Sequence, residues 1–396
     1  MLKNRHISFL TWLLSGMMLL MTGACSSSDE EGQESGADKK PVMLAIYVYA
    51  PEQAAAAQKK AAQTRGDVGE VDAINDEGTI KSLQLWIYES DESTFPGKYV
   101  GYLSTEDVAS LNTGEGTTYQ IPVSDDFASR KPSVDVYVQA NVKAANCGVG
   151  TLNEETTRAN LLTGAKITGH FGLGNLQTSV PTDGLPMAGY LTTQPVVGDA
   201  PALRVGKLNA VSTVPLTRAV SKLRFVFAKT TDQPTVRITS IKINENMIPD
   251  VEYLFDKPES APTITYNTEA GELLSSPIDD IAETADPTDY IYFNQDAQEY
   301  ENLINTAASK ETPEVTVRGP IYLRESDKQL AGTITYTIDG GEPQSVGFQM
   351  QQAGDFLRNH TWIVYAYYAG SGKLQVQTVY VKDWSTKEIS HNVYNW

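Results

Sequence analysis

The chain has 396 residues, 41% hydrophobic and 20% charged, a globular composition that excludes a disordered polymer. Its 49 acidic residues against 31 basic ones give a formal charge of −18, which leaves nucleic-acid or anionic-membrane binding without electrostatic support. Thirty glycines, 19 prolines and 20 tyrosines among many threonines and valines predict an all-β protein; long helical periodicity is confined to the first residues and one alanine-rich stretch.

Lys3 and Arg5 precede an apolar run from Phe9 to Met21 that is too short for a membrane span, so residues 1–24 read as a secretory signal. The sequence Leu20-Met21-Thr22-Gly23-Ala24-Cys25 resembles a bacterial lipobox, which implies lipidation of Cys25; a plain signal with an incidental cysteine is the alternative. The tether SSSDEEGQESGADKK cannot bury a core, and it resembles the acidic export signal of Bacteroidetes surface lipoproteins. In the body only Cys147 remains, so no intrachain disulfide is expected; in the loop-like AANCGVG it reads as an incidental thiol.

Val42 to Tyr49, bounded by Pro41 and Pro51, reads as a strand that is apolar on both faces and spans roughly 26 Å. The following EQAAAAQKKAAQT has no apolar stripe, so it is expected to be exposed and easily cleaved. In TIKSLQLWIYES, Leu83, Leu85 and Ile87 share one face, and Gln84, Trp86 and Tyr88 the other. SVDVYVQANV places Val134, Val136, Val138, Ala140 and Val142 inward and Asp135, Tyr137, Gln139 and Asn141 outward, the one-faced alternation of antiparallel sheets.

Residues 145–212 read as a turn cluster over the sheets. Within them, GLGNL lacks the third glycine and the strand-to-helix setting of a dinucleotide loop. From Ser212 onward, short strands such as STVPLTRAVSKLRFVFA, TVRITSIKI and TWIVYAYY alternate with turns. TITYTIDGGEPQSVGF reads as a hairpin with Ile334, Tyr336 and Ile338 on one face. The reading is two tandem antiparallel β-sandwiches, over residues 66–212 and 213–396.

Catalytic signals are lacking. His170, His360 and His391 have no metal-ligand spacing, no nucleophile-elbow, zincin or phosphate-loop motif occurs, and neither metal nor cofactor is expected. Asp125-Asp126 and Asp279-Asp280 read as solvated charge on turns. The tyrosines of YIYF, YAYY and VYVY fit a sheet surface before a sugar platform.

Three segments carry a resemblance: Val214-Pro215-Leu216-Thr217-Arg218-Ala219-Val220-Ser221-Lys222-Leu223-Arg224-Phe225, the PMAGY of residues 186–190, and Phe356-Leu357-Arg358-Asn359-His360-Thr361-Trp362-Ile363-Val364 ahead of Asp383-Trp384. In this order they resemble the Bacteroidetes fimbrillin family, the FimA-like subunits of type V pili, with Trp362 where a tyrosine is usual and a short tail of residues 385–396. The resemblance implies transthyretin-like, Greek-key sandwiches and a non-enzymatic pilus subunit supporting adhesion. It implies an outer membrane lipoprotein precursor that becomes a cell-surface fimbrium, with other pilin subunits and an arginine-specific protease as partners. Thr64-Arg65-Gly66 matches the cleavage position, with Arg65 and Gly66 flanking the cut, and Val42, Leu44, Ile46 and Val48 belong to the strand then lost. A neighbour's strand would replace it by donor-strand exchange. The candidate donor is Ser385 to Trp396, with Ile389, His391 and Val393 on one face and Tyr394 and Trp396 on the other; finishing the parent sheet is the alternative for this tail. A tip or accessory adhesin, an uncleaved carbohydrate-binding surface lipoprotein and, last, a hydrolase are the competing roles; the adhesion ligand is not specified by any of these residues.

Overall fold

The computed structural model describes residues 40–50, 77–90, 98–114, 116–259, 261–293 and 297–381. Cys25, Arg65, Gly66 and the tail residues Ile389, Val393, Tyr394 and Trp396 lie outside these ranges.

The chain is all-β. Its first twelve strands are β1 (Val42–Tyr49), β2 (Leu83–Glu89), β3 (Tyr99–Thr105), β4 (Thr117–Val123), β5 (Val134–Ala140), β6 (Lys166–Thr168), β7 (Met187–Gln194), β8 (Val196–Asp199), β9 (Ala202–Lys207), β10 (Ala210–Val211), β11 (Thr213–Pro215) and β12 (Thr217–Arg218). The remaining strands are β13 (Ser221–Thr230), β14 (Val236–Ile243), β15 (Val251–Tyr253), β16 (Gly271–Glu272), β17 (Glu283–Thr284), β18 (Thr316–Leu323), β19 (Ala331–Ile338), β20 (Gln344–Gln349), β21 (Thr361–Tyr368) and β22 (Gln375–Val381).

One sheet, β10-β9-β1-β11 with β4 on β1 and β8 on β9, packs against a second, β12-β7-β5-β2-β3, and their facing aliphatic side chains make one core. A third sheet, β17-β13-β21-β22 with β18 on β13, packs in the same way on β16-β14-β19-β20 around a second core. The short β15-β6 pair joins residues from the two parts of the chain. Pairing among the described strands is antiparallel except for β1 with β9 and β11, and β13 with β17 and β21. Those parallel pairs need long crossovers, which brings sequence-distant strands beside β1 and β13.

The hairpin β19–β20 forms as its pattern predicts, with Ile334 and Tyr336 buried and the chain reversing through Asp339 and Gly340, both at positive φ. The outward polar faces do not. Trp86, Tyr88, Asp135, Tyr137, Gln139 and Asn141 are all buried, because residues 142–186 and, from later in the chain, Leu254, Phe255 and Tyr322 cover that side of the sheet with a further apolar layer. Most of their polar atoms find partners there. Trp86 Nε1 donates to Asn153 O at 2.9 Å, Tyr88 Oη to Thr156 O at 2.6 Å, and Asn141 Nδ2 to Thr79 O at 2.8 Å.

Two further readings change. Residues 187–211 are strands rather than turns, so PMAGY leads into β7 instead of forming a loop. A helix over Ala297–Ala308 buries Tyr300, Ile304 and Ala307 on the outer face of β13 and β21, a helical spacing that the sequence reading passed over. Cys147 ends a short helix and is buried; desolvation pushes its thiol up to about 12, which makes it inert.

If the covered face is structural, Trp86→Ala should cost about 3–5 kcal/mol, against under about 0.5 kcal/mol for a surface tryptophan. Urea denaturation followed by circular dichroism measures the difference.

Candidate functional site

β1 is an interior strand that two parts of the chain hold in place. On one edge it runs antiparallel to β4 from Val42↔Val123 to Val48↔Thr117. On the other edge it lies parallel to β9 over Met43–Ala45 and parallel to β11 over Tyr47–Tyr49. Met43 N donates to Pro201 O, and Tyr49 O accepts from Leu216 N, each at 2.8 Å, which extends this edge at both ends.

Both faces of β1 are apolar, as expected, but they are unequally buried. Val42, Leu44, Ile46 and Val48 point into the core against β2, β5 and β11, whereas Met43, Ala45, Tyr47 and Tyr49 are half-buried. Gly116 makes room for one of these outer side chains: it sits at φ +74, and a Cβ there would lie 2.3 Å from the Tyr47 hydroxyl oxygen. Burial of the four inward side chains is worth roughly 6–12 kcal/mol as an upper estimate, at about 1.5–3 kcal/mol each. A typical domain is stable by only about 5–15 kcal/mol, so the first core depends on a strand in this position.

The chain returns to the described structure at Glu77 and is pinned at once. Asn112 Oδ1 accepts from Ile80 N at 2.8 Å and its Nδ2 donates to Ile80 O at 2.7 Å; Asn141 Oδ1 accepts from Lys81 N at 2.8 Å. Glu77 itself reaches the later part of the chain. Its carboxylate accepts from Tyr322 Oη at 2.6 Å and from Lys222 Nζ at 3.2 Å, and its carbonyl accepts from Arg218 Nε at 2.9 Å.

The three segments that carry the fimbrillin resemblance meet here. Pro186 O accepts from Ala219 N, Val220 O accepts from Asn359 N, and His360 O accepts from Lys222 N, at 2.8–2.9 Å. Arg218 Nη1 also reaches Asn359 Oδ1 at 3.3 Å, and Trp362 is buried in the second core with its Nε1 3.3 Å from Asp355 O. The motifs therefore mark the joint where one pair of sheets passes into the other.

Charge at this joint is buried and paired. Lys222 lies between Glu77 and Glu301, and Arg224 contacts Glu301 at 3.1 Å. Burial alone would raise the Glu301 carboxyl, but Lys222 and Arg224 hold it below its ordinary value. Nearby, Arg358 binds Glu325 through Nε at 2.9 Å, Tyr253 O at 2.9 Å and Glu252 at 3.2 Å. Burial pushes Glu252 up to about 8, with Arg358 opposing the rise and Glu325 adding to it.

The remaining candidates fall in separate places. His170 lies 3.2 Å from Asn175 Nδ2, and His360 Nδ1 lies 2.6 Å from Arg358 O. Asp125 and Asp126 begin a helix capped by Ser124, where Asp126 pairs with Arg130 at 2.9 Å. Asp280 is not merely solvated charge: it accepts from the buried Lys229 at 2.7 Å and from Val236 N at 2.9 Å. Among the described residues no cluster of three or more His, Cys, Asp or Glu side chains is arranged to hold a metal ion.

The class defined by this geometry is an all-β protein of paired sandwiches with an interior first strand. No family model and no curated protein matches the chain. Among solved structures it is similar to fimbrial and proposed cell adhesion proteins of Bacteroidetes. One is a proposed cell adhesion protein from Parabacteroides distasonis, with 14% identity, TM-score 0.45, and 88% of this chain and 99% of that chain covered. Another is the tip fimbrial protein Mfa3 from Porphyromonas gingivalis with C-terminal truncation, with 14% identity, TM-score 0.40, and 87% and 99% covered. A third is a fimbrial assembly protein from Parabacteroides distasonis, with 13% identity, TM-score 0.43, and 87% and 97% covered. At these identities and scores the likeness carries no functional argument.

The sequence reading found β1 and missed its neighbour β9 together with β8 and β10, which pair with β9; these strands are short and broken by Gly198, Pro201 and Gly206. It also gave no role to Glu77, for which no local signal exists.

Two outcomes test the joint. Lys222→Met strands Glu77 and Glu301 without their shared cation and should cost about 3–5 kcal/mol in urea denaturation. Glu252 titrates above its ordinary 4.5, so its contribution to stability is full below about pH 4.5 and lost as pH rises through about 8. Melting temperatures at pH 5 and pH 8 should therefore fall further in the wild type than in Glu252→Gln, and equal falls would refute this assignment.

Proposed function

We propose that the chain is a non-enzymatic structural subunit of a cell-surface pilus that supports adhesion. In this reading it is exported as an outer membrane lipoprotein precursor anchored through Cys25, and an arginine-specific protease cuts it between Arg65 and Gly66. Polymerisation into an extracellular fimbrium then follows by donor-strand exchange, in which a strand of another pilin subunit takes the place of Val42, Leu44, Ile46 and Val48.

The observation that carries the reading is the position of β1. It is hydrogen-bonded on both edges and fills the first core, yet it is tied to the rest of the chain through residues 51–76, which contain Arg65. A cut there converts an internal strand into a separate peptide. Loss of that peptide leaves open backbone groups on β4, β9 and β11 and an apolar trough between them, the condition for strand addition from another chain. The pinning of Glu77, Ile80 and Lys81 supports the same reading, since the chain beyond the cut keeps its own attachments.

The candidate donor is the tail Ser385–Trp396, through Ile389, Val393, Tyr394 and Trp396. The polar His391 in the middle of its aliphatic face favours a second role, that of a tip or accessory subunit that accepts a strand without donating one. An uncleaved carbohydrate-binding lipoprotein that retains Cys25 is the remaining alternative.

The Arg65→Ala precursor should accumulate unassembled, while the wild type purified from the cell surface begins at Gly66 by N-terminal sequencing. Fibres built normally from the Arg65→Ala chain would sink the proposal. Deletion of residues 385–396 should abolish polymer growth if the tail is the donor, and leave incorporation intact if the subunit sits at the tip.

A further inference from the structure

On the side of the sheet turned away from the β1 core, two tyrosines stand together. Tyr137 on β5 and Tyr190 on β7 are cross-strand neighbours whose rings stack at 6.0 Å with planes 17° apart. Phe255, from the segment after β15, sets its ring edge-on to both, at 5.1 and 6.2 Å. Arg158, at the start of the helix Arg158–Gly164, donates from Nε to Tyr137 Oη at 3.2 Å and forms an ion pair through Nη2 with the buried Asp135 at 2.8 Å. The loop carrying Asp256, Lys257 and Glu259 closes the opposite wall, and the cavity between them has a volume of about 550 Å³. Small-ligand sites fall in roughly the 300–1,000 Å³ range and favour the seams between packed units.

The chemistry of the wall is specific. Tyr137 is buried, but Tyr190 is only partly covered, so its ring presents an apolar face to the cavity. Burial, together with the nearby Asp256 carboxylate, pushes its hydroxyl up to about 12, so it keeps its proton at neutral pH. Arg158 is fixed in place by Asp135 and Tyr137, which means it loses little rotamer freedom when a ligand arrives. The exposed Asp256 and Glu259 accept hydrogen bonds, and the exposed Lys257 donates them. An aromatic face beside donors and acceptors of both kinds suits a pyranose ring, whose C–H face is apolar and whose rim is hydroxylated. The sign of the charge narrows the class. The cations Arg158 and Lys257 are opposed by Asp135, Asp256 and Glu259, on a chain whose formal charge is −18, so an acidic sugar meets repulsion.

We propose that this cavity is a binding site for a neutral glycan, with the sugar ring laid on Tyr190 and its hydroxyls shared among Asp256, Glu259 and Lys257. The site lies on the outer face of β5 and β7, whereas β1 belongs to the facing sheet, about 10 Å away through the core. Glycan binding therefore does not require strand exchange, and a subunit built into a fibre keeps the site.

The test is an array of neutral, sialylated and sulfated oligosaccharides probed with the full exported chain, followed by titration calorimetry on the bound glycans. Neutral glycans should bind, and Tyr190→Ala and Asp256→Asn should each weaken binding at least tenfold. Asp256 is exposed, so Asp256→Asn keeps the test valid if Tyr190→Ala fails to fold, which a circular dichroism melt reports. The Arg65→Ala precursor should bind with unchanged affinity, and this separates the site from pilus assembly. Binding of acidic glycans only, absence of neutral binding, or neutral binding unaffected by Asp256→Asn would overturn the assignment.

Discussion

The first sandwich depends on one strand having hydrogen-bond partners on both edges. β4 pairs with β1 along seven positions, and the parallel strands β9 and β11 divide the other edge between them. An edge strand can be peeled from a sheet and leave the remainder paired. An interior strand cannot, because its removal opens two rows of backbone donors and acceptors and a core trough together. In this chain that strand is also the one nearest the amino end of the described structure, with its inward side Val, Leu, Ile and Val in alternation. Any partner able to restore the core must supply aliphatic side chains at the same period of two.

The joint between the two pairs of sheets is built on a different principle. Glu77, Lys222 and Glu301 are charged groups taken out of water, and what makes their burial tolerable is mutual pairing together with the Tyr322 hydroxyl and the Arg224 guanidinium. Such networks contribute little net stability compared with an apolar interface, but they admit few alternative geometries. Glu77 follows directly after residues 51–76, so the joint also fixes where the chain resumes beyond that segment.

Both central sheets are covered twice. The face of β2, β5 and β7 away from the core is roofed by residues 142–186 and by Leu254, Phe255 and Tyr322; the outer face of β13 and β21 is roofed by the helix Ala297–Ala308. This is why the alternation in SVDVYVQANV misleads. Asp135, Gln139 and Asn141 look like solvent-facing positions but are buried polar groups with designated partners, such as Arg158 for Asp135 and Thr79 O for Asn141. The same roof, where it stops short at Tyr190, leaves the cavity over the stacked tyrosines.

Much of the architecture was legible in the residues. Period-two patterns located β2, β5, β13, β19 and β21; Gly340-Gly341 marked the hairpin; and Pro41 and Pro51 framed β1, because these signals are local and act within a few residues. β7 to β10 were not legible, since glycine and proline break their pattern and their stability comes from neighbours such as β1 and β5. The helix Ala297–Ala308 carried a readable spacing, Tyr300, Ile304 and Ala307, that a β-rich composition obscured. What the sequence alone determined was an all-β chain with an apolar strand ahead of a polar stretch holding Arg65, because hydrophobic period and turn chemistry are properties of contiguous residues. The tertiary structure decided that this strand is interior, that Glu77 meets Lys222 and Tyr322, and that Tyr190 and Asp256 line one cavity. Each of these depends on contacts between residues far apart in the chain, whose pairing no local pattern encodes.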